Sequence, residues 1–391
     1  MKYNFDKVID RSGTSAEKVE GLKHIWGRTD LIPLWVADMD FATAPFVTDA
    51  IRKRCENEVL GYTGKPDSYY NAIINWVKQR YDLVVAKEMI NFVPGIVPGI
   101  GMAMNCFTQK GDKVMIQPPV YHPFAWVTTR NERTLVINPL RWENGMYRMD
   151  LDAFREQIKG CKLFILCNPH NPGGVVWTEA ELRAIADICY DEKVLVFSDE
   201  IHADLTLPPH THRPFATVSE KARMNSVTFM SPSKAFNMPG LSASHALIFN
   251  EDLRKRFRIY MDAGELDMGH VFAFLSVEAA YSHGTEWLDQ CLAYIQGNID
   301  FVDNILKNHA PKIKAIRPEA SYLVWLDCRE LKLSQKDLNE FFVDKAHLAL
   351  NDGEMFGKEG IGFMRLNVAS PRCIIEKAMK QLADAYQLYI K

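Results

Sequence analysis

The residues best suited to chemistry come directly after apolar runs of the sequence. The run Lys162–Cys167 leads into Asn168-Pro169-His170-Asn171-Pro172-Gly173-Gly174, where two Asn-Pro pairs and two glycines predict a rigid turn that fixes the amide of Asn171. A second run, Val194–Ser198, ends in Asp199, and a carboxylate after a buried strand needs a positive partner such as a protonated ring nitrogen. A plain connecting loop and a helix N-cap are the alternatives for these two motifs.

A third apolar run, Val227–Met230, ends in Ser231-Pro232-Ser233-Lys234, which places two hydroxyls and an amine within four residues. The hydroxyls can hold a phosphate, and a partly desolvated lysine amine has a pKa well below the usual value of about 10.4, as Schiff-base chemistry requires. The string also matches the S-x-x-K of serine β-lactamases. The companion tripeptides S-D-N and K-T-G of those enzymes do not occur in this sequence.

A glycine-containing turn is the fourth candidate. Pro94-Gly95-Ile96-Val97 precedes an apolar segment, and backbone amides at such a turn can face a phosphate. The segment fits neither G-x-G-x-x-G nor the P-loop pattern, so dinucleotide and nucleoside triphosphate sites lack support. Pyridoxal 5′-phosphate carries the groups that these motifs could bind: a phosphate, a protonated pyridine nitrogen, a phenolic oxygen and an aldehyde that reacts with an amine. The order and spacing of the four motifs therefore predict a site for this cofactor.

The elements that must position these residues alternate along the chain. Short runs rich in Val, Ile and Phe predict strands that are buried on both faces. These runs are Lys113–Gln117, Leu135–Leu140, Lys162–Cys167, Val194–Ser198, Val227–Met230 and Ala246–Phe249. Helices are predicted between them, over Leu151–Lys159 after Asp150 and over Glu179–Glu192 after Thr178. The alternation predicts an α/β fold with a mainly parallel sheet, and ligands bind outside the carboxyl ends of such strands.

The regular alternation of predicted strands and helices ends after about residue 284. The elements predicted there are an amphipathic helix over Trp287–Asn308, strands over Tyr322–Leu326 and Phe363–Asn367, a helix over Gln335–Ala346, and a terminal helix after Pro371. We therefore predict a large domain over residues 45–285 and a smaller α+β domain over residues 286–391, and we expect residues 1–44 to join the smaller domain.

Composition and charge exclude several classes of protein. The length of 391 residues suggests two or three domains, and 46 Lys and Arg residues nearly balance 49 Asp and Glu residues, which argues against nucleic-acid or anionic-membrane binding. The start MKYNFDKVID has no apolar core of a signal peptide, and the eight cysteines form no C-x-x-C pair. The H-x-H of His210 and His212 could bind a metal, but no further ligands are recognisable nearby, and a solvated loop is enough to explain it. We predict a cytoplasmic protein without a metal site.

The motifs make the chain similar to fold-type I pyridoxal-phosphate enzymes of the aminotransferase class I/II superfamily. More narrowly, the chain resembles the C–S β-lyase branch, the cystathionine β-lyases of the MalY/PatB type, from Leu34-Trp35-Val36-Ala37-Asp38-Met39-Asp40-Phe41 to Gly362-Phe363-Met364-Arg365-Leu366-Asn367. Two departures from the aminotransferase pattern favour this branch. His202 stands three residues after Asp199, where aminotransferases usually have Tyr, and Gly240-Leu241-Ser242 lacks the arginine of Gly-x-Arg.

The resemblance implies a large domain built on a mainly parallel, seven-stranded sheet and a role for each residue around the cofactor ring. Lys234 would hold the cofactor as a Schiff base and later move the Cα proton of the substrate. Asp199 would pair with the pyridinium nitrogen, and Asn171 would donate to the phenolic oxygen, which His202 would also approach. Tyr121 would stack on the ring.

The resemblance also implies how the phosphate and the substrate are bound. The phosphate would meet the backbone amides of Gly95, Ile96 and Val97 and the hydroxyls of Ser231 and Ser233. Tyr62 would reach the phosphate from a neighbouring subunit, so a homodimer is implied. Arg365 would bind the α-carboxylate of the substrate in bidentate fashion, which a lysine does less well.

Three functions are consistent with the sequence. The resemblance implies a β-elimination on cystathionine, cystine or other S-substituted cysteines that yields a thiol, pyruvate and ammonia. An aminotransferase on the same scaffold is an alternative, because both reactions share a carbanion. A regulatory binding protein is another, since one member of this branch represses a transcription activator by direct contact. The joint presence of Lys234, Asp199, Asn171 and Arg365 favours an active enzyme.

Overall fold

Strands and helices alternate through residues 2–389, the part of the chain that the computed structural model describes. The strands are β1 (Ile32–Pro33), β2 (Ile90–Val93), β3 (Lys113–Ile116), β4 (Thr134–Ile137), β5 (Arg141–Glu143), β6 (Met146–Arg148), β7 (Cys161–Cys167), β8 (Leu195–Asp199), β9 (Ser226–Met230), β10 (Ser244–Leu247), β11 (Lys314–Ile316), β12 (Leu323–Asp327), β13 (Leu348–Ala349), β14 (Asn351–Asp352) and β15 (Phe363–Asn367). The α-helices are α1 (Glu17–Trp26), α2 (Pro45–Cys55), α3 (Asp67–Tyr81), α4 (Ile96–Phe107), α5 (Pro123–Arg130), α6 (Leu151–Gln157), α7 (Glu179–Asp191), α8 (Glu220–Met224), α9 (Glu251–Ala263), α10 (Val271–His283), α11 (Thr285–His309), α12 (Gln335–Glu340) and α13 (Arg372–Tyr389).

The central sheet has seven strands in the order β2-β10-β9-β8-β7-β3-β4. Neighbours from β9 through to β4 are parallel, whereas β10 runs antiparallel to both β2 and β9. The predicted α/β fold with a mainly parallel sheet is therefore confirmed. Parallel order brings the carboxyl ends of β7, β8 and β9 to one edge, which is where the polar motifs follow.

Hydrophobic clusters cover both faces of this sheet. Leu163 and Ile165 of β7 pack with residues of α4 and α9 on one face. Phe164 and Leu166 pack on the opposite face with residues of α6 and α7. Since successive side chains of a strand point to opposite faces, a strand covered on both sides must be apolar there, as β7 is from Leu163 to Cys167.

The N-terminal segment packs on elements that follow residue 285. β1 pairs in parallel with β13, and the side-chain amide of Asn367 donates to the carbonyls of Val36 and Asp38. The antiparallel sheet β11-β12-β15-β14 adjoins this contact. The helix predicted over Gln335–Ala346 is α-helical to Glu340 and then makes a π-helical turn. The domain boundaries at residues 44 and 285 stay a prediction.

Two basic side chains hold the segment after residue 37 in place. The ammonium of Lys18 is fully buried and donates to Asp40 Oδ2 at 2.8 Å, while it lies 3.6 Å from Asp38 Oδ1. Arg11 donates to Asp38 Oδ2 at 2.6 Å. Because a buried ammonium is stable only when paired, these contacts fix the two acidic residues as a unit.

Two further observations concern the whole described chain. None of the helices between residues 2 and 389 is long and apolar enough to cross a membrane. All eight cysteines are free, and five of them are buried. Buried thiols of this kind act as small apolar side chains of the core.

Candidate active site

A cavity of about 200 Å³ lies at the carboxyl ends of β7, β8 and β9. Since these strands are parallel neighbours, the side chains that follow them converge there. The predicted site residues that line the cavity are Gly95, Ile96, Val97, Tyr121, Asn171, Asp199, His202, Ser233 and Lys234. The structure thus brings most of the predicted site residues into one cavity.

Three predicted site residues lie outside this lining. Ser231 is buried behind Ser233, with its Oγ 2.8 Å from Ser233 Oγ and 2.8 Å from the carbonyl oxygen of Ala243. Arg365 borders the cavity through its contact with Asn171. The side chain of Tyr62 is 98% exposed, so it takes no part in the cavity of its own chain.

Lys234 follows β9 and is held by the N-terminal segment, because its Nζ donates to the carbonyl oxygen of Ala37 at 2.7 Å. Burial lowers the pKa of Lys234 to about 8; the carboxylates of Asp38 and Asp199 oppose this shift, and the guanidinium of Arg365 adds to it. The amine therefore has a substantial neutral fraction near neutral pH. Such an amine can act as a nucleophile or as a base.

Asp199 is 3% exposed at the end of β8, and the backbone N–H of Ile201 donates to its Oδ1 at 3.1 Å. Burial raises the pKa of Asp199 to about 7; that hydrogen bond opposes the shift, and the neighbouring Glu200 adds to it. A positive ligand group would favour the ionised form of so buried a carboxyl. The site therefore fits a protonated ring nitrogen.

Arg365 projects from β15 and orients the Asn171 amide. It donates to Asn171 Oδ1 at 3.1 Å, to the carbonyl oxygen of Trp35 at 3.1 Å, and to Asn351 Oδ1. Its buried Nε has no hydrogen-bond partner among residues 2–389. Burial lowers the pKa of Arg365 to about 10, so the guanidinium stays charged at neutral pH. Because the oxygen of Asn171 is occupied, its N–H groups are left to donate, and the spare N–H of Arg365 suits a carboxylate.

The turn before α4 suits a phosphate. Gly95 has a φ of 118°, a conformation that residues with side chains rarely adopt. The first N–H groups of a helix lack carbonyl partners within it, and the positive end of the helix dipole favours an anion. Ser242 lines the same cavity where Gly-x-Arg would supply a guanidinium. The amides of Ile96 and Val97 and the hydroxyl of Ser233 are therefore among the donors available to a phosphate in this cavity.

Tyr121 and His202 complete the walls as neutral groups. Burial lowers the pKa of His202 to about 3, and the positive charges of Lys234 and Arg365 add to this shift. Burial also raises the pKa of Tyr121 above its ordinary value, although Arg365 opposes the shift. His202 Nδ1 is buried with no hydrogen-bond partner in the described chain, which leaves it available to a ligand.

The histidines of the H-x-H motif contact different carboxylates. His212 Nε2 lies 2.8 Å from Glu200 Oε2, whereas His210 Nδ1 lies 3.7 Å from Glu319 Oε1. Glu200 also accepts from the backbone N–H of Phe215 at 2.8 Å, so it fixes the turn after β8. Among residues 2–389, no three His, Cys, Asp or Glu side chains are grouped to hold a metal ion.

Sequence patterns do not single out four groups that contact the catalytic candidates. These are the carbonyl oxygens of Trp35 and Ala37, the side chain of Asn351, and Phe356, whose ring lies 4.8 Å from the guanidinium carbon of Arg365. The only available signal is that Trp35 and Ala37 belong to the string on which the family resemblance rests. Asn351 and Phe356 stand in no motif.

Comparisons with known proteins agree with this geometry. The family model "Aminotransferase class I and II" matches residues 29–382. Cystathionine beta-lyase PatB of Bacillus subtilis (strain 168) is 38% identical over 384 residues, which cover 98% of this chain and 99% of that protein. Cystalysin from Treponema denticola, solved with a pyridoxal 5′-phosphate cofactor, has a TM-score of 0.96 at 33% identity over 100% of both chains.

A second solved structure extends the likeness to a further lyase. The PLP-bound C–S lyase from Staphylococcus hominis has a TM-score of 0.91 at 35% identity and covers 99% of this chain and 98% of its own. The resemblance found in the sequence is thereby confirmed. This chain belongs to the aminotransferase class I and II family, and within it the chain is similar to the cystathionine β-lyases and C–S lyases.

Proposed function

We propose that the protein is a pyridoxal-phosphate-dependent C–S β-lyase that converts S-substituted cysteines to a thiol, pyruvate and ammonia. The observation that carries this proposal is the meeting of Lys234, Asp199, Asn171 and Arg365 around one cavity at the carboxyl edge of the sheet. The similarity to a cystathionine β-lyase and to C–S lyases supports the choice of reaction.

The groups around the cavity fit pyridoxal phosphate. When bound, this cofactor supplies an aldehyde that condenses with amines and a ring that delocalises negative charge. Asp199 would hold the ring nitrogen, the amide N–H of Asn171 would donate to the phenolic oxygen, and Tyr121 would cover the ring. The turn at Gly95 and the hydroxyl of Ser233 would bind the phosphate, and Ser231 would support Ser233 from behind.

The substrate would be held and deprotonated by two basic side chains. Arg365 binds the α-carboxylate through its spare N–H, in a pocket where burial strengthens the ion pair. Lys234 takes the proton from Cα, and its lowered pKa suits this role near neutral pH. The Cβ–S bond then breaks with its electron pair on sulfur, and the aminoacrylate formed takes up water to give pyruvate and ammonia.

The reaction is tested by incubating the purified, cofactor-loaded protein with cystathionine. We expect pyruvate and free thiol in equal amounts, and we expect Lys234→Ala to abolish both while circular dichroism stays unchanged. Absence of both products with the wild-type protein would contradict the lyase. Accumulation of pyridoxamine phosphate with a stoichiometric amount of keto acid would indicate an aminotransferase instead.

We also propose a homodimer in which Tyr62 reaches the phosphate of the neighbouring subunit. Support comes from Tyr62 at 98% exposure in a loop where Val59 and Leu60 are also 71% and 60% exposed. Because Lys234 and Tyr62 of one site would come from different chains, mixing Lys234→Ala with Tyr62→Ala should form hybrid dimers with one intact site. Activity that stays at the level of the separate variants after subunit exchange would contradict this arrangement.

We also propose the cellular compartment in which the protein is found. All eight cysteines are free, and Cys55 and Cys373 among them are exposed. Exposed thiols persist where glutathione and thioredoxin keep them reduced. We therefore propose a cytoplasmic protein, which thiol labelling of the protein in freshly broken cells can test by finding both cysteines reduced.

A further inference from the structure

The carbonyl oxygen of Ala37 accepts hydrogen bonds from two distant parts of the chain. The Nζ of Lys234 donates to it at 2.7 Å, and both residues line the proposed cofactor cavity. The hydroxyl of Tyr322 donates to the same oxygen at 2.9 Å. Tyr322 directly precedes β12, its side chain is fully buried, and its ring lies 6.4 Å from that of His202. The reactive amine and a buried tyrosine therefore share one acceptor.

The carbonyl oxygens on either side of Ala37 are bound by a donor that keeps its hydrogens throughout the proposed reaction. The side-chain amide of Asn367 donates to the oxygen of Val36 at 2.7 Å and to that of Asp38 at 2.6 Å. The oxygen of Ala37 differs from both, because one of its two donors is the amine that bonds to the cofactor.

The Ala37 oxygen depends on Tyr322 whenever Lys234 is bonded to the cofactor. The lysine nitrogen then keeps at most one hydrogen, whereas the free ammonium has three. Loss of its donors would destabilise this partly buried carbonyl. Burial raises the pKa of Tyr322 well above its ordinary value, and the charge of Asp38 adds to the shift, so the hydroxyl keeps its proton at neutral pH. Tyr322 thus supplies a donor in the state in which the lysine withdraws its own.

We propose that Tyr322 is a positioning residue for Lys234. Its hydroxyl holds the Ala37 oxygen in place while the lysine carries the cofactor, so that this oxygen receives the amine when a substrate displaces it. A neutral amine that donates to the oxygen keeps its lone pair free, as removal of the Cα proton requires. The inference rests on the proposed lyase function and adds to it a residue outside the lining of the cavity.

The first test measures cofactor affinity, which needs no substrate. Tyr322→Phe keeps the ring and removes only the hydroxyl on which the Ala37 oxygen depends in the loaded protein. We expect its dissociation constant for pyridoxal phosphate, followed by visible absorbance, to rise about 5- to 30-fold. Tyr69→Phe is the matched control, because Tyr69 is equally buried and its hydroxyl has no hydrogen-bond partner among residues 2–389. The affinity of this control should stay within about twofold of the wild type.

The second test uses the thermal unfolding midpoint of the cofactor-free protein. There Tyr322→Phe and Lys234→Met each remove one donor to the Ala37 oxygen, whereas the double variant removes both. The double variant should therefore unfold about 2–4 °C below the midpoint that the two single shifts predict by addition. Either single shifts that simply add, or an unchanged cofactor affinity of Tyr322→Phe, would overturn the proposal.

Turnover separates this role from a general loss of stability. In cofactor-saturated Tyr322→Phe, we expect kcat for cystathionine to fall about tenfold, because the released amine meets a less firmly held acceptor. KM should stay within about twofold, since Arg365 is unchanged, and a raised KM at unchanged kcat would contradict the role. If the wild type binds the cofactor but forms no pyruvate, the lyase reaction is wrong, and the affinity and unfolding measurements still decide the role of Tyr322.

Discussion

The amine of Lys234 yields a quantitative prediction that needs no substrate. Burial lowers its pKa to about 8, against an ordinary value of about 10.5. At pH 7 roughly one-tenth of the amine is then neutral, compared with about one part in 3,000 for an ordinary lysine. Since only the neutral amine attacks an aldehyde, Lys234 has about 300-fold more of the reactive form at pH 7 than an ordinary lysine, and cofactor-free protein should take up pyridoxal phosphate faster than an equally accessible ordinary lysine would.

The assay follows the visible absorbance of the bound cofactor after rapid mixing across a range of pH. The rate should rise about tenfold per pH unit and level off near the pKa of Lys234, about 8. Arg365→Met removes a charge that lowers this pKa, so its profile should move to higher pH. Asp38→Asn removes one that raises it, so its profile should move to lower pH. A midpoint near 10.5, or shifts of both variants in one direction, would refute the reasoning.

Three other substitutions test single groups. Asp199→Asn keeps the shape of the side chain but removes the charge that would stabilise a protonated ring. Transition-state stabilisation should fall by about 3 kcal/mol, so kcat/KM in steady-state assays should fall roughly 100-fold. Near-normal turnover would contradict the role of Asp199. Arg365→Lys retains the charge but loses the fork geometry, so KM for the amino acid should rise about tenfold with a smaller change in kcat. Gly95→Ala must place a side chain at a φ of 118°, which should cost about 1–3 kcal/mol and lower the thermal unfolding midpoint, whereas the exposed Gly240→Ala should not.

The part of the fold that could be predicted depends on local patterns. β7 is a continuous apolar run because both of its faces are covered, and the polar residue that follows each such run marks the edge of the sheet. Asn171, Asp199 and Lys234 could therefore be assigned to one edge from the sequence. Their meeting in one cavity follows from the parallel order of the strands.

The strands at the antiparallel end of the sheet could not be predicted in the same way. The apolar run of β2 is interrupted by Asn91, whose buried amide donates to the carbonyl oxygen of Ala246 in the neighbouring strand. β10 spans Ser244–Leu247, so it begins two residues before the predicted run Ala246–Phe249. The prediction missed Ser244 and His245 because they are polar, although both are buried. Asn91 has a side-chain partner far away in the sequence, and Ser244 and His245 pair as backbone with Val93 and Phe92 of β2, which a local pattern does not contain.

The surroundings of Arg365 were also beyond sequence reasoning. Besides Asn171, its partners are a backbone carbonyl of the N-terminal segment, which carries no residue identity, and the amide oxygen of Asn351, which stands in no motif. Such contacts arise from the packing of the loops after α12 against the end of the central sheet.

The contact between Ala37 and Lys234 makes the reactive amine sensitive to the very beginning of the polypeptide. The carbonyl that receives this amine precedes Asp38, which Arg11 and Lys18 hold through ion pairs. Proteolytic trimming of some twenty residues would remove both cations and leave two acidic side chains unpaired, while the central sheet would lose no strand. Preparations that differ only at this end can therefore differ in turnover and in thermal stability even though the central sheet is intact, which matters when affinity tags are placed or cleaved.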